Sequence, residues 1–238
     1  MPNKQKHRGL HSLDLQLFSE KWVEIMREAV KDVVYLLNRG FAENSVLKIV
    51  GDRYRLQKRQ RQALMRAVCT DEILLTSQQK QIDWNQLSGK SVVIDAYNLL
   101  ITTESALSDG IILHCKDGCY RDIASVHGTY RKVAETLPAI RLIGQALQSL
   151  GVTKAHWFLD SPISNSGRLK QLLLEEATQN QWNWEAELVH SPDKTLVERS
   201  EIVISSDSWV VTQATAWTNF QGYLITEHIK PNNIKKFW

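Results

Sequence analysis

From residue 91 to residue 226, short apolar runs rich in β-branched side chains alternate with stretches of helical spacing, and this alternation restricts the fold most. The runs are Ser91–Ala96 (SVVIDA), Ala155–Asp160 (AHWFLD), Trp184–Val189 (WEAELV), Glu201–Ser205 (EIVIS) and Gly222–Thr226 (GYLIT). Between them, Tyr130–Leu150, Ser166–Gln179, Asp193–Arg199 and Ser208–Trp217 have the spacing or propensity of helices. Strands alternating with helices predict an α/β fold, a parallel sheet with helices on both faces. Such sheets present functional groups at the carboxyl ends of their strands.

The first part has a different period. Trp22, Ile25, Met26, Ala29, Val33 and Leu36 recur at three- and four-residue steps, which predicts an amphipathic helix from Glu20 to Leu37. Gly40 can supply its left-handed stop. A second short helix is expected after Asn44–Ser45 and a third between Arg53 and Cys69. A small all-α domain over residues 1–80 is thus expected before an α/β domain over 88–238. The polar, Gln-rich stretch Thr76–Lys90 marks the boundary, and the polar first dozen residues are expected to fray. No apolar run approaches the ~20 residues that span a bilayer. The amino-terminus lacks the apolar core of a signal peptide. Three cysteines, an odd number, argue against a disulfide framework. A cytoplasmic protein without a membrane partner is expected, and a homo-oligomer remains open.

Three of the five expected strands end at or just before an aspartate. Asp95 closes SVVIDA, Asp160 closes AHWFLD and Asp207 follows EIVISS, while Asp193 opens the helix after the third strand. A carboxylate beside an apolar run is costly unless it is paired or binds a cation. Each one alone reads equally well as a helix cap. Several on one sheet edge would repel one another unless a cation neutralised them. Oxygen ligands without a His/Cys set suit Mg²⁺ or Mn²⁺ better than zinc.

The words around these acids carry a resemblance. IDAYNLL, with Asn98 three positions after Asp95, and VISSDSWVV around Asp207 resemble the first and last acidic motifs of PIN-like (NYN-type) nucleases. SPDKTLVERSEIVISSD is similar to the same branch, and the likeness covers residues 88–238. The resemblance implies a PIN-like, Rossmann-type three-layer fold, with Asp95, Asp193 and Asp207 at the metal and Asn98 lining the site. With CKDGCYRDIASVHGTYR, LDSPISNSGRL, LLNRGF and VGDRYRLQKRQRQAL, the whole chain resembles an uncharacterised bacterial and archaeal family. That family joins a small domain of unknown function to a PIN-like one. Within these words Asp122 is a further metal candidate, Asp117 a weaker one because Asp-Gly also makes turns. Ser161, Ser164, Asn165 and Ser166 form a hydroxyl- and amide-rich loop that either orients a phosphate or is a structural turn. The expected glutamate of a PIN-like metal shell has no clear counterpart, Glu104 and Glu135 standing in no recognisable word.

Two divalent ions can neutralise a phosphodiester, generate hydroxide and stabilise the leaving oxygen. In that chemistry Asp95, Asp160 and Asp207 are the expected catalytic acids, Asp193 completes the shell, and Ser206 leads into it. Arg121, Arg168, Lys170 and Lys194 are near enough in sequence to contact phosphates, with solvation the alternative for each. The charge is uneven: residues 1–85 carry 15 Lys/Arg against 10 Asp/Glu, and 86–238 carry 14 against 16. The excess concentrates in RYRLQKRQRQALMR, where Arg53, Arg55, Lys58, Arg59, Arg61 and Arg66 suit nucleic-acid binding, a solvated helix face or docking on the acidic part. A metal-dependent nuclease, RNA favoured over DNA by family analogy, is the leading expectation. A non-catalytic nucleic-acid-binding or regulatory protein is the alternative.

Other chemistries lack their motifs. His114, Cys115, Cys119 and His127 match no common zinc spacing. No GxGxxG, GxxxxGK[ST] or GxSxG occurs. A phosphatase of the Asp-x-Asp type is disfavoured because position 97 is Tyr. Trp182 and Trp184 are candidates for stacking on bases, with core packing as the default.

Overall fold

The computed structural model describes residues 7–124 and 128–238. In chain order the helical part comprises α1 (Asp14–Leu17), α2 (Glu20–Leu37), α3 (Glu43–Arg53), α4 (Lys58–Ala67) and α5 (Asp71–Lys80). The α/β part follows as β1 (Ser91–Asp95), α6 (Ala96–Leu107), β2 (Ile112–His114), β3 (Tyr120–Asp122), α7 (Thr136–Ser149) and β4 (Lys154–Asp160). It continues with α8 (Ser166–Asn180), β5 (Trp184–Val189), α9 (Pro192–Val197), β6 (Ile202–Ile204), α10 (Ser208–Gln213), α11 (Phe220–Tyr223), a π-helical turn (Leu224–Ile229) and β7 (Ile234–Lys236).

Four strands pair in parallel in the order β5-β4-β1-β6. Successive side chains of a strand point to opposite faces, so the apolar runs feed two cores. Val92, Ile94, Trp157 and Leu159 pack with Leu99, Leu100, Ile140, Ile143 and Leu173 of α6, α7 and α8. Val93, Phe158 and Val203 pack on the other face with Leu196 of α9 and with Val210 and Val211 of α10. The α/β class with helices on both faces is therefore observed.

Gly222–Thr226 departs from expectation. Instead of a fifth strand it forms the end of α11 and the start of the π-helical turn, because Asn219 accepts from the Gly222 N–H (3.0 Å) and starts a helix that buries Leu224 and Ile225. A second sheet, of order β3-β2-β7, was not expected. Its Ile112 faces α6 and the π-helical turn, packing with Ala106 and Ile225. Leu113, with the flanking Ile111, Cys115, Ile123 and Phe237, packs against Met26, Val33, Val50 and Leu64 of α2, α3 and α4. The helical part thus closes on this small sheet in one continuous core.

The expected boundary is also a structured seam. Thr70 caps α5, accepting from Ile73 N–H (3.2 Å), and the helix runs into the Gln-rich stretch as far as Lys80. Trp217, fully buried, donates its indole N–H to the Ser77 carbonyl (2.7 Å) and accepts from Ile82 N–H (2.7 Å). The expected fraying does not extend to Arg8, which is buried against Glu104 (2.6 Å). Among the described residues no helix is long and apolar enough to cross a membrane.

Candidate active site at the carboxyl edge of the sheet

Each of the four parallel strands leads to one aspartate. Asp95 ends β1 at the centre of the sheet and lies opposite Phe158 of β4. Asp160 stands two residues beyond Phe158, an even step that keeps it on the face of Asp95, roughly 7 Å further along the strand. Ile94 is paired with Ile204 of β6, which brings Ser205 beside Asp95, and Asp207 follows two residues later. Val189 ends β5 opposite Asp160, and Asp193 enters in the first turn of α9.

Local bonds fix the central acid. The Asp95 carboxylate accepts from the Asn98 backbone N–H (3.2 Å) and from the Ser205 hydroxyl (3.0 Å). The Asn98 side-chain oxygen accepts from both the N–H and the hydroxyl of Ser206 (2.9 Å each), clamping the start of α6 to the loop after β6. Asp207 caps α10, accepting from Trp209 N–H (2.9 Å) and Val210 N–H (3.1 Å) with one oxygen. The cap role and a ligand role are compatible, since the other carboxylate oxygen is not part of the cap.

The acids share an electrostatic field. Burial pushes the Asp95 carboxyl up to about 7, the negative charges of Asp193 and Asp207 add to the rise, and the Asn98 and Ser205 bonds oppose it. Asp193 is also raised, by burial first and then by Asp207 and Asp160. One oxygen of Asp160 is buried without a hydrogen-bond partner. An unpaired buried oxygen and mutually repelling carboxylates are what a hard cation relieves. Yet among the described residues no three Asp, Glu, His or Cys side chains stand close enough to hold an ion. An all-oxygen pair can still fit Mg²⁺, which keeps several waters and takes one or two carboxylates.

Other expected site residues are used structurally. Asp122 lies on the second sheet, where its carboxylate accepts from Thr102 Oγ1 (2.6 Å) and Ala124 N–H (2.7 Å) beside Arg66 (3.6 Å). Its oxygens are satisfied, so it is not grouped with the strand-end acids. Arg121 is buried with its guanidinium forked onto Asp117 (3.1 and 2.5 Å) and bonded to the Ser206 carbonyl (2.7 Å), which leaves it no open face for a phosphate. The same pairing accounts for Asp117. Ser166 is buried, bonding Tyr97 (2.8 Å) and the Asp160 carbonyl (2.6 Å), and Asn165 donates to the Tyr130 carbonyl (2.9 Å). These two residues hold the loop. Ser161, Ser164 and Arg168 are exposed around it.

The basic segment divides in the same way. Arg59 forks onto the buried Asp14 (2.5 and 2.9 Å), and Arg61 is held by Asp52 (2.7 Å) and the Leu56 carbonyl (2.8 Å). Both are structural ties, contrary to expectation. Arg53, Arg55 and Lys58 are exposed, and Arg53 lies near Asp32 (3.5 Å). Glu104 is fully buried and bonded by Arg8, Tyr130 and Thr136, so it supplies no ligand at the sheet edge. Trp182 and Trp184 stack on each other (4.8 Å), and the Trp184 ring also meets Trp157. Cys115 and Cys119 are buried and free, His114 stacks on Tyr120, and His127 lies outside the described residues.

Two residues at the site escaped the sequence reading. Ser205 orients Asp95, a role visible only once β6 is set beside β1. Trp209, two residues after Asp207, is 48% exposed; the sequence did offer the tryptophan beside a strand-end acid, and its exposure is seen only in the fold.

Family models match the chain in two consecutive stretches. Residues 25–80 match the family described as Protein of unknown function (DUF434). Residues 84–223 match the family described as Domain of unknown function (DUF5616), and all four strand-end aspartates fall within that stretch. An uncharacterized protein of Methanocaldococcus jannaschii is 30% identical over 186 residues, covering 78% of this chain and 88% of the relative. No solved structure gives a significant match. Neither family description names a PIN-like domain. With more than half of its residues matched, this chain belongs to the family described as Domain of unknown function (DUF5616).

Proposed function

We propose that the chain is a divalent-metal-dependent nuclease that hydrolyses phosphodiester bonds at the carboxyl edge of the parallel sheet. RNA is favoured over DNA by the PIN-like resemblance of IDAYNLL and VISSDSWVV. The observation that carries the reading is the convergence of acids: four parallel strands lead to Asp95, Asp160, Asp193 and Asp207, and burial with like charge lifts Asp95 to about 7. A site that resists its own negative charge favours a bound cation.

Two of the three acids Asp95, Asp193 and Asp207 would hold Mg²⁺ or Mn²⁺, with waters completing the ion's shell. When bound, such an ion neutralises the scissile phosphate and lowers the pKa of a coordinated water. Ser205 and the Asn98 N–H aim the Asp95 carboxylate, and the Asn98–Ser206 clamp fixes the loop that carries Asp207. Asp160 offers its bare oxygen to a water or to the ion's shell. Arg53, Arg55 and Lys58 of the helical part add positive charge that attracts a polyanion.

The test is cleavage of labelled single-stranded RNA, single-stranded DNA and a small phosphate ester by purified protein with Mg²⁺ or Mn²⁺. Hydrolysis of the RNA that stops with a chelator and in Asp95→Asn is expected. Chelator-resistant hydrolysis, or unchanged turnover in that variant, would refute the assignment. A second reading, binding without cleavage, draws on one observation: no three ligands are gathered at any one point among the described residues. It predicts RNA affinity that survives the chelator, with intact RNA at every metal concentration.

A further inference from the structure

We infer that a continuous trough leads from the outer side of α3 and α4 to Asp207, and that it is a track for single-stranded nucleic acid whose inner cavity takes one nucleotide. The inference rests on the nuclease reading and adds the path and form of the substrate. Two hollows make up the trough. The outer one, about 790 Å³, lies against α3 and α4, with Leu47, Leu56, Lys58 and Arg61 among its walls. The inner one, about 310 Å³, lies between the helical part and the sheet edge and reaches Asn98, Ser206 and Asp207. Glu43, Met65 and Arg66 line both, so the two hollows meet at Arg66.

The chemistry of the walls suits a single strand. Lys58 is exposed at the outer hollow, and Arg66 at the junction keeps 40% of its side chain exposed while one N–H bonds the Asp122 carbonyl (2.7 Å). Arg61 is tied to Asp52, so it contributes positive field more than a contact. Cations spaced along a groove track a phosphate backbone. In the inner cavity Leu37, Met65, Val68 and Ile73 offer an apolar wall for the face of a base. From the sheet edge, the half-buried Asn98 and Ser208 bring an amide NH₂ and a hydroxyl to its edge, while the buried Thr102 and Ser206 hydroxyls are spent on Asp122 and Asn98. A volume of about 310 Å³ is at the lower end of the ~300–1,000 Å³ usual for ligand sites, which suits one nucleotide. A base still paired inside a duplex cannot enter such a pocket.

The track is tested by fluorescence anisotropy of the full chain with labelled single-stranded oligouridylate, in chelator so that no cleavage intervenes, with an RNA duplex as competitor. Lys58→Glu and Arg66→Gln are each expected to weaken binding about five-fold or more and to lower the salt slope by about one. Lys21→Glu is the control: it is exposed on α2, 16 positions and so about 24 Å along the helix from Leu37, the residue of α2 that lines the inner cavity, and binding should be unchanged. Thermal unfolding of each variant checks that the fold is intact. Unchanged affinity in both trough variants, no binding at all, or a duplex that competes as well as the single strand would overturn the track. Such a result beside chelator-sensitive cleavage leaves the nuclease reading standing. Trough-dependent binding with no cleavage in Mg²⁺ or Mn²⁺ leaves the track and removes the nuclease.

Discussion

Asp95 ionises in the folded chain only at a cost, and the sign of that cost can be measured. Its carboxyl ordinarily loses its proton near 3.8, whereas burial and the neighbouring Asp193 and Asp207 charges raise it to about 7. Between those values the folded state holds a proton that the unfolded state has released, so stability falls as pH rises from about 4 to about 7 and stays lowered above that. A rise of about three pH units corresponds to on the order of 4 kcal/mol. Asp95→Asn removes the penalty. It is expected to melt above the unsubstituted protein at pH 8 without metal, the gap closing towards pH 4. Mg²⁺ or Mn²⁺ should raise the melting temperature of the unsubstituted protein at pH 8, less so at pH 5 where a proton competes, and not that of Asp95→Asn. Identical melting of the two proteins at pH 8 would show that Asp95 bears no such burden. Arg121 makes the opposite case at the same scale. Its partner Asp117 keeps only 1% of its side chain exposed, so Arg121→Ala strands a buried carboxylate and should cost about 3–5 kcal/mol in urea denaturation.

At the scale of elements, the basic helix shows what a charge count conceals. In α4 the buried residues Gln60, Ala63, Leu64 and Ala67 define the inner face, and Arg59, one turn before Ala63, belongs beside it. Its partner Asp14 lies 45 positions earlier, and no local pattern announces that pairing. Arg59→Ala is expected to lower stability by about 3 kcal/mol and leave the salt slope of RNA binding unchanged, because it frees the buried Asp14 carboxylate without removing a phosphate contact. A reduced slope would return Arg59 to the nucleic-acid surface. The same logic sorts what was legible. Long periodic elements were read with their ends: α2 begins and stops at Glu20 and Leu37, and β5 at Trp184 and Val189. Strands β2, β3 and β7 have three residues each, too few for a period of two to stand out. Tyr223–Thr226 has strand-like residues but sits in a helix, because Asn219 caps the turn and the core takes Leu224 and Ile225. The strand-end aspartates were legible as a set. Asp122 was a candidate only through the word CKDGCYRDIASVHGTYR, and nothing in that word showed that it closes a strand of a second sheet.

For the whole molecule, the two stretches matched by separate family models behave as one body. Leu113 and Cys115 of the second stretch share a core with Met26, Val33 and Leu64 of the first, and Phe237, beyond both stretches, is fully buried in the same core. Trp217 anchors the seam at Ser77 and Ile82. Neither part can therefore unfold without exposing apolar surface of the other, and the chain is expected to melt in a single transition. Helical circular dichroism and tryptophan fluorescence should trace the same curve. Phe237→Ala, which empties a filled site at the interface, should shift both curves together by about 3–5 kcal/mol. Two separated transitions, or a Phe237→Ala effect confined to one probe, would mean that the parts fold independently. Joint folding has a consequence for the sheet edge. The inner cavity takes its apolar wall from Leu37, Met65, Val68 and Ile73 and its polar wall from Asn98, Thr102, Ser206 and Ser208, so it exists only while both parts stay docked. Partial loss of the seam should then weaken oligouridylate binding before it removes the sheet. Denaturant titration of Phe237→Ala, followed by anisotropy and circular dichroism on the same samples, measures that order, and binding that outlasts the helical signal would contradict it.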